Sequence, residues 1–239
     1  MQAVDSDRLW PAFNNPVAQS QQAFRLILKA MSEPGVPVIF DDEQFTLSNG
    51  QPFTVYSGIV AGASYVLALT LLDQDVKVWL SPDMERSAFS ENVRFHCGCQ
   101  IVTDSESADF AWMSVDEWST SSAYKMGSNE NPHQSATLVI QCGNVIQCVD
   151  DWQALAAGRP GMTDALTLKL SGPGIKHTRE IMVPELTVAH LQLLQANHQL
   201  YPLGKDILLT SNNSLVALPR STRVELADKP QGLTSAQVG

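Results

Sequence analysis

The chain has 239 residues, 44% of them hydrophobic and 17% charged, with a formal net charge of −10. That length suits one domain, since a single core grows to about 250 residues before chains usually split. The acidic balance excludes a general nucleic-acid binder, whose phosphate contacts need a concentrated basic face, but still allows a small anion in a pocket with a few arginines.

Taken in chain order, Asn14 and Asn15 precede Pro16, a capping side chain followed by a proline at the first helical position, and predict a helix ending at Ser32. Phe24, Ile27, Leu28 and Met31 recur along it at helical spacing. Glu33-Pro34-Gly35 stops it, because the residue before proline avoids the α region and glycine accepts a left-handed exit; Val36 to Phe40 then leaves as an extended segment. Gly58 to Leu72 is apolar almost all round and predicts a helix covered on every side. Its longest apolar run, Ile59 to Leu72, is shorter than the ~20 residues a membrane span requires. The start of the chain, with Asp5, Asp7 and Arg8, lacks a signal-peptide layout, so the expected location is the cytoplasm.

Val76 to Leu80 reads as a strand, and Ser81-Pro82-Asp83 opens a helix on which Phe89, Val93 and His96 share a face. Gln100 to Val102 and Phe110 to Met113 are predicted strands, and Ser114 to Glu117 has the spacing of a capping box for a following helix. Ala136 to Cys142 is the clearest buried strand, and Asp150 to Ala157 is a short predicted helix closed by Gly158-Arg159-Pro160-Gly161. Leu166, Leu168 and Leu170 alternate with Thr167, Lys169 and Ser171, which predicts a strand with one wet face before the turn Gly172-Pro173-Gly174. Val188, Leu191, Leu194 and Leu200 line a last helix.

Ile207 to Thr210 and Leu215 to Leu218 then form a hairpin across Ser211-Asn212-Asn213-Ser214, with Asp206 and Arg220 near the same end. The expected fold is α/β, a three-layer arrangement of a mixed sheet flanked by helices with a C-terminal β-hairpin. A single domain over residues 16–226 follows an N-terminal extension of residues 1–15 and precedes a flexible polar tail of residues 227–239.

No G-x-G-x-x-G, P-loop, H-E-x-x-H or G-x-S-x-G motif is present, and no catalytic constellation is readable. Of the four cysteines, Cys97, Cys99, Cys142 and Cys148, the run His96-Cys97-Gly98-Cys99 could supply three metal ligands, but the fourth ligand and second pair of a structural zinc site are missing. Buried reduced thiols are therefore expected rather than a metal. Ser171-Gly172-Pro173-Gly174 reads as a structural turn in preference to a phosphate loop, since proline removes a donor. Arg25, Arg94 and Arg220 are the candidates for binding an oxyanion, because guanidinium forks such groups bidentately; His96 and His177 are the candidate proton-transfer groups. Each also reads as a solvated flank, cap or packing residue. Lys205 sits beside Gly204 at a strand start, with no pocket readable around it.

Several of these runs recur together: Ala23-Phe24-Arg25-Leu26-Ile27-Leu28-Lys29-Ala30-Met31-Ser32-Glu33-Pro34-Gly35, Leu69 to Asp73 with Val78-Trp79-Leu80, Arg94-Phe95-His96, Leu170 to Ile175, Tyr201 to Asp206, and Leu218 to Thr222. Their order resembles the PhnH family, a subunit of the bacterial carbon–phosphorus lyase system, over about residues 16–225. The resemblance implies a fold similar to the large domain of pyridoxal-phosphate-dependent transferases, without that cofactor. It also implies a homodimer within a core complex with the PhnG, PhnI and PhnJ subunits, which couples a phosphonate to the ribose of ATP before the carbon–phosphorus bond is broken. Two functional readings follow. In one the chain is a non-catalytic or assisting subunit; in the other the dimer itself binds a phosphonate or nucleotide, with Arg25, Arg94, His96 and Arg220 lining the site.

Overall fold

A computed structural model of the chain describes residues 9–51, 60–119, 123–143, 147–148 and 166–227. The predicted helix at residues 150–157 lies outside them. Helix α1 (Pro16–Ser32) starts where expected: the Asn15 Oδ1 accepts the Ala18 N–H at 3.2 Å, and Pro16 occupies the first turn. It stops at Glu33, and Gly35 exits with φ +80°. Its core face is only in part the one the apolar spacing suggests: Ile27 and Met31 pack inward, Phe24 and Leu28 do not. Gln19, Ala23, Ile27 and Ala30 are buried, whereas Val17 (70%), Phe24 (46%) and Leu28 (52%) are exposed. Two alanines let the helix approach its neighbours closely, and the Gln19 amide is satisfied there by the Gln44 and Thr46 carbonyls at 3.1 and 3.0 Å.

The chain continues through β1 (Val38–Ile39), α2 (Gly62–Leu71), β2 (Lys77–Leu80), α3 (Pro82–Arg86), α4 (Ala88–Cys97), β3 (Gln100–Val102), β4 (Phe110–Ser114), β5 (Thr137–Gln141), β6 (Gln147–Cys148), β7 (Leu166–Ser171), β8 (Arg179–Val183), α5 (Val188–Gln199), β9 (Asp206–Ser211), β10 (Ser214–Leu218) and β11 (Arg223–Leu226). As expected of its composition, α2 is buried all round over its first two turns, Gly62 to Ala68. The single helix expected after Ser81 is two. Ser87 is extended (ψ 165°), ending α3 by donating its hydroxyl to the Met84 carbonyl and starting α4 by accepting the Phe89 N–H. The Ser114–Glu117 box closes only a 3-10 turn, Val115–Glu117, and no longer helix follows it among the described residues.

The described strands form two sheets, a seven-stranded one ordered β1-β10-β9-β5-β4-β2-β3 and a four-stranded antiparallel one ordered β11-β7-β8-β6. In the larger sheet only β10 runs against the others, since β2, β3, β4, β5 and β9 pair in parallel and β10 is antiparallel to both β9 and β1. The predicted hairpin is therefore not an appendage. Its first strand extends the parallel sheet beside β5, and its second accepts β1. The turn is the two residues Asn212-Asn213, with Asn212 at φ 49°.

Alternate residues of the large sheet face two cores. Val78, Leu80, Trp112, Val139, Leu208 and Leu215 pack against α1, α2, α3 and α4. Ala111, Met113, Leu138, Ile140, Ile207 and Leu209 face Leu168, Leu170, Ile181 and Val183 of the small sheet with Leu191 and Leu194 of α5. The three layers are those expected, except that the second face is covered mainly by strands, with one helix beside them. Several described residues just outside 16–226 pack on the same body. Trp10 donates its backbone N–H to Asn92 Oδ1 at 2.6 Å and packs its ring edge-on against Tyr65, Phe13 is buried, and Ala227 is buried and donates to the Thr167 carbonyl at 2.9 Å.

Candidate functional site

In open α/β sheets ligands settle beyond the carboxyl ends of the parallel strands. Here that edge presents Ser114, Gln141 and Thr210 in one register row. Their polar groups face partners from the protein itself. Gln141 Oε1 accepts the Ala61 N–H at 2.6 Å, and Thr210 and Ser64 share a buried hydroxyl–hydroxyl bond of 2.7 Å. Glu117 accepts from the Ser81 hydroxyl (2.5 Å), the Asp83 N–H (3.2 Å), and the Ser114 N–H and hydroxyl (3.3 and 3.0 Å). Burial works against ionisation of Glu117, but these bonds outweigh it and hold its pKa below the usual carboxylate value. The first turn of α2 and the Ser114–Glu117 turn thus occupy the place where a ligand would be expected.

A different situation exists at the amino end of β9. Lys205 lines a cleft of about 200 Å³ with Trp118, Ser119, Tyr124, Leu138, Leu193, Asn197 and Ile207. Asn197, buried on α5, clamps the backbone there: its Nδ2 donates to the Lys205 carbonyl and its Oδ1 accepts the Lys205 N–H, both at 2.8 Å. Gly204, at φ +106°, lies so close that a Cβ would stand 2.9 Å from the Asn197 carbonyl oxygen. Trp118 stacks flat on His190 with centroids 5.1 Å apart. His190 Nδ1 accepts the Thr187 N–H at 3.0 Å, which leaves its Nε2–H to donate to the Trp118 carbonyl at 3.2 Å. The Lys205 ammonium sits 5.9 Å from the Tyr124 ring centroid, and burial lowers its pKa from the usual lysine value. No carboxylate lines the cleft among the described residues.

The sequence singles out Lys205 but not its surroundings. Trp118, Tyr124 and Asn197 come from separate parts of the chain and carry no shared local signal; only the glycine beside Lys205 hints at a special backbone.

The four residues expected to line an oxyanion site come from α1, from α4 and from the end of the hairpin. Arg25 is exposed on α1, and Arg94 is exposed on the last turn of α4. His96, two residues on, uses its Nε2 on the Trp10 carbonyl at 2.8 Å, so it holds the N-terminal segment against α4. Arg220 lies on the α5 side of the fold, where its own carbonyl faces His198 Nδ1 at 3.4 Å. Each of its guanidinium nitrogens has a protein acceptor: Nε and Nη2 donate to Asp206 at 3.1 and 2.6 Å, and Nη1 donates to the Pro132 carbonyl at 2.6 Å. His177 is exposed in the β7–β8 turn.

The Cys97 and Cys99 thiols point to different carbonyls, those of Ala68 and Val93. Among the described residues no group of three or more His, Cys, Asp or Glu is placed to hold a metal. Burial first, then the neighbouring Cys99 and Asp73, pushes the Cys97 thiol up to about 12, and burial with Glu185 does the same for Cys142. At pH 8 such a thiol is thiolate in only about one molecule in 10⁴, against about a quarter for an ordinary cysteine. Iodoacetamide at pH 8 is accordingly expected to label Cys97 and Cys142 only after unfolding; mass spectrometry showing native labelling at the unfolded rate would contradict this burial.

A family model described as bacterial phosphonate metabolism protein (PhnH) matches residues 11–225. The chain belongs to the PhnH family. Among curated relatives of this PhnH-family chain, the alpha-D-ribose 1-methylphosphonate 5-triphosphate synthase subunit PhnH of Rhizobium meliloti is 30% identical over 215 residues, covering 90% of this chain and 94% of that protein. The putative C-P lyase subunit protein HtxG of Stutzerimonas stutzeri is 24% identical over 226 residues, covering 95% of each. No described helix is long and apolar enough to cross a membrane.

Proposed function

We propose that this PhnH-family chain is an assisting subunit of a carbon–phosphorus lyase complex. It would form a homodimer and join PhnG, PhnI and PhnJ to support coupling of a phosphonate to the ribose of ATP. The observation that carries the reading is the end-to-end similarity to a protein named as a subunit of ribose 1-methylphosphonate 5-triphosphate synthase. The engagement of His96 by the Trp10 carbonyl and of Arg220 by Asp206 and Pro132 also supports it, since an independent transferase would need such groups turned toward a ligand. So does the exposed stripe Val17, Phe24 and Leu28 on α1, an apolar face that association would cover. The likeness to the large domain of pyridoxal-phosphate transferases is proposed at the level of the seven-stranded sheet alone.

Co-expression with the three proposed partners, pulling on a tag fused to this chain, tests the reading. Recovery of a stoichiometric complex is expected. Elution of the tagged chain free of all three would end the proposal, as would unimpaired growth of a strain lacking this gene on methylphosphonate as sole phosphorus source.

A further inference from the structure

We propose that the cleft beside Lys205 binds a small ring-bearing monoanion, its charge on the Lys205 ammonium and its ring among Trp118, Tyr124 and the aliphatic wall. The proposal goes beyond the subunit role and does not depend on it. Three features specify the ligand.

The first is size. A dry cavity of about 150 Å³ admits benzene, so the roughly 200 Å³ here accommodates one six-membered ring with a carboxylate-sized group attached. The second is the wall. Trp118 and Tyr124 contribute aromatic surface and Leu138, Leu193 and Ile207 aliphatic surface, a lining suited to a planar apolar body.

The third is charge. Of the acidic groups adjoining cleft residues in sequence, Asp206 is engaged by Arg220, and Glu117, beside Trp118, by Ser81, Asp83 and Ser114. Lys205 keeps one positive charge facing an aromatic ring, with burial already disfavouring the ammonium. An anion delivered to it compensates that desolvation more fully than the Tyr124 face does. The Asn197 amide is held on both atoms by the Lys205 backbone, so it fixes where the lysine enters the cleft.

The test uses the purified full chain and three probes: sodium benzoate, which carries ring and charge; benzamide, which keeps the ring and loses the charge; and sodium acetate, which keeps the charge and loses the ring. Calorimetric titration is expected to give benzoate a dissociation constant of about 1 mM, the range a ligand of this size reaches. Benzamide and acetate should each bind at least about tenfold more weakly, and Lys205→Met should weaken benzoate at least about tenfold. A second readout needs no variant. Benzoate, and not benzamide, should slow reductive methylation of Lys205 by formaldehyde and dimethylamine borane, followed by peptide mass spectrometry. Equal affinity for benzoate and benzamide, no measurable benzoate binding, or unaltered methylation of Lys205 overturns the proposal.

Discussion

Gly174→Ala is expected to lower stability by about 3 kcal/mol, a fall of about 6–12 °C in the midpoint of thermal unfolding for a chain of this size. Gly174 adopts φ +81°, where an L side chain is strained, and a Cβ built there would stand 2.1 Å from the Ser32 carbonyl oxygen and 2.8 Å from Pro34 Cδ. Ser32 ends α1, so the added methyl would push the β7–β8 turn away from the helix terminus. Gly50→Ala is the control. Its φ is +78° but a Cβ there meets nothing within 4 Å, so it should cost only about 1 kcal/mol, the strain without the collision. Differential scanning calorimetry of the two variants decides; equal losses would show that the contact with α1 contributes nothing.

The same contact brings together several of the runs singled out in the sequence. Gly35, in the stop signal of α1, lies where a Cβ would meet Leu170 Cδ1 at 2.5 Å, and Arg179 hydrogen-bonds the Pro34 carbonyl. Gly172, at φ +131°, is 2.9 Å by the same measure from the Ser221 carbonyl oxygen. Glu33-Pro34-Gly35, Ser171-Gly172-Pro173-Gly174 and Pro219-Arg220-Ser221-Thr222 therefore form one junction that joins α1, the small sheet and the end of the hairpin. The glycines of the Gly-Pro-Gly turn let backbones approach, a packing role in place of the phosphate loop its composition allows.

Arg220→Ala is the second change with a large expected effect, about 2–4 kcal/mol in urea unfolding. Its side chain and that of Asp206 are only 15% and 18% exposed, well below an ordinary surface pair. The substitution removes two bonds to Asp206 and one to Pro132, leaving the carboxylate, among the described residues, the Arg220 backbone N–H at 2.9 Å. Arg220→Lys should recover little, because a single ammonium cannot reproduce the fork. A double-mutant cycle with Asp206→Ala should give a coupling above about 1.5 kcal/mol. A coupling below about 0.5 kcal/mol would return the pair to the class of solvent-exposed salt bridges.

The pairing of Asp206 with Arg220 is legible in the sequence because a hairpin brings the residues flanking its two strands together. The route of the hairpin is not. Leu208 and Leu209 are apolar on both faces, which says that both faces are covered but not by what. In the fold they meet helices on one side and strands on the other. Apolar spacing places Ile27 and Met31 rightly on the core side of α1 but misplaces Phe24 and Leu28, which outrank alanine in hydrophobicity, whereas close helix packing favours Ala23 and Ala30. Strands β8 and β11 are hard to read in the sequence because β8 opens on two charged residues, Arg179 and Glu180, and β11 alternates polar and apolar over only four residues; their pairing with β7 supplies what so short a signal lacks.

Membership of the PhnH family, the caps and stops of α1, the buried run of β5 and the hairpin were determined by the sequence itself, since each rests on neighbouring residues and short-range backbone preferences. Tertiary structure alone decided the strand order, the strand-built third layer and the Lys205 cleft. Those depend on which residues meet across long loops: Trp118, Tyr124, Asn197 and Lys205 become one surface only when the sheet and α5 have docked.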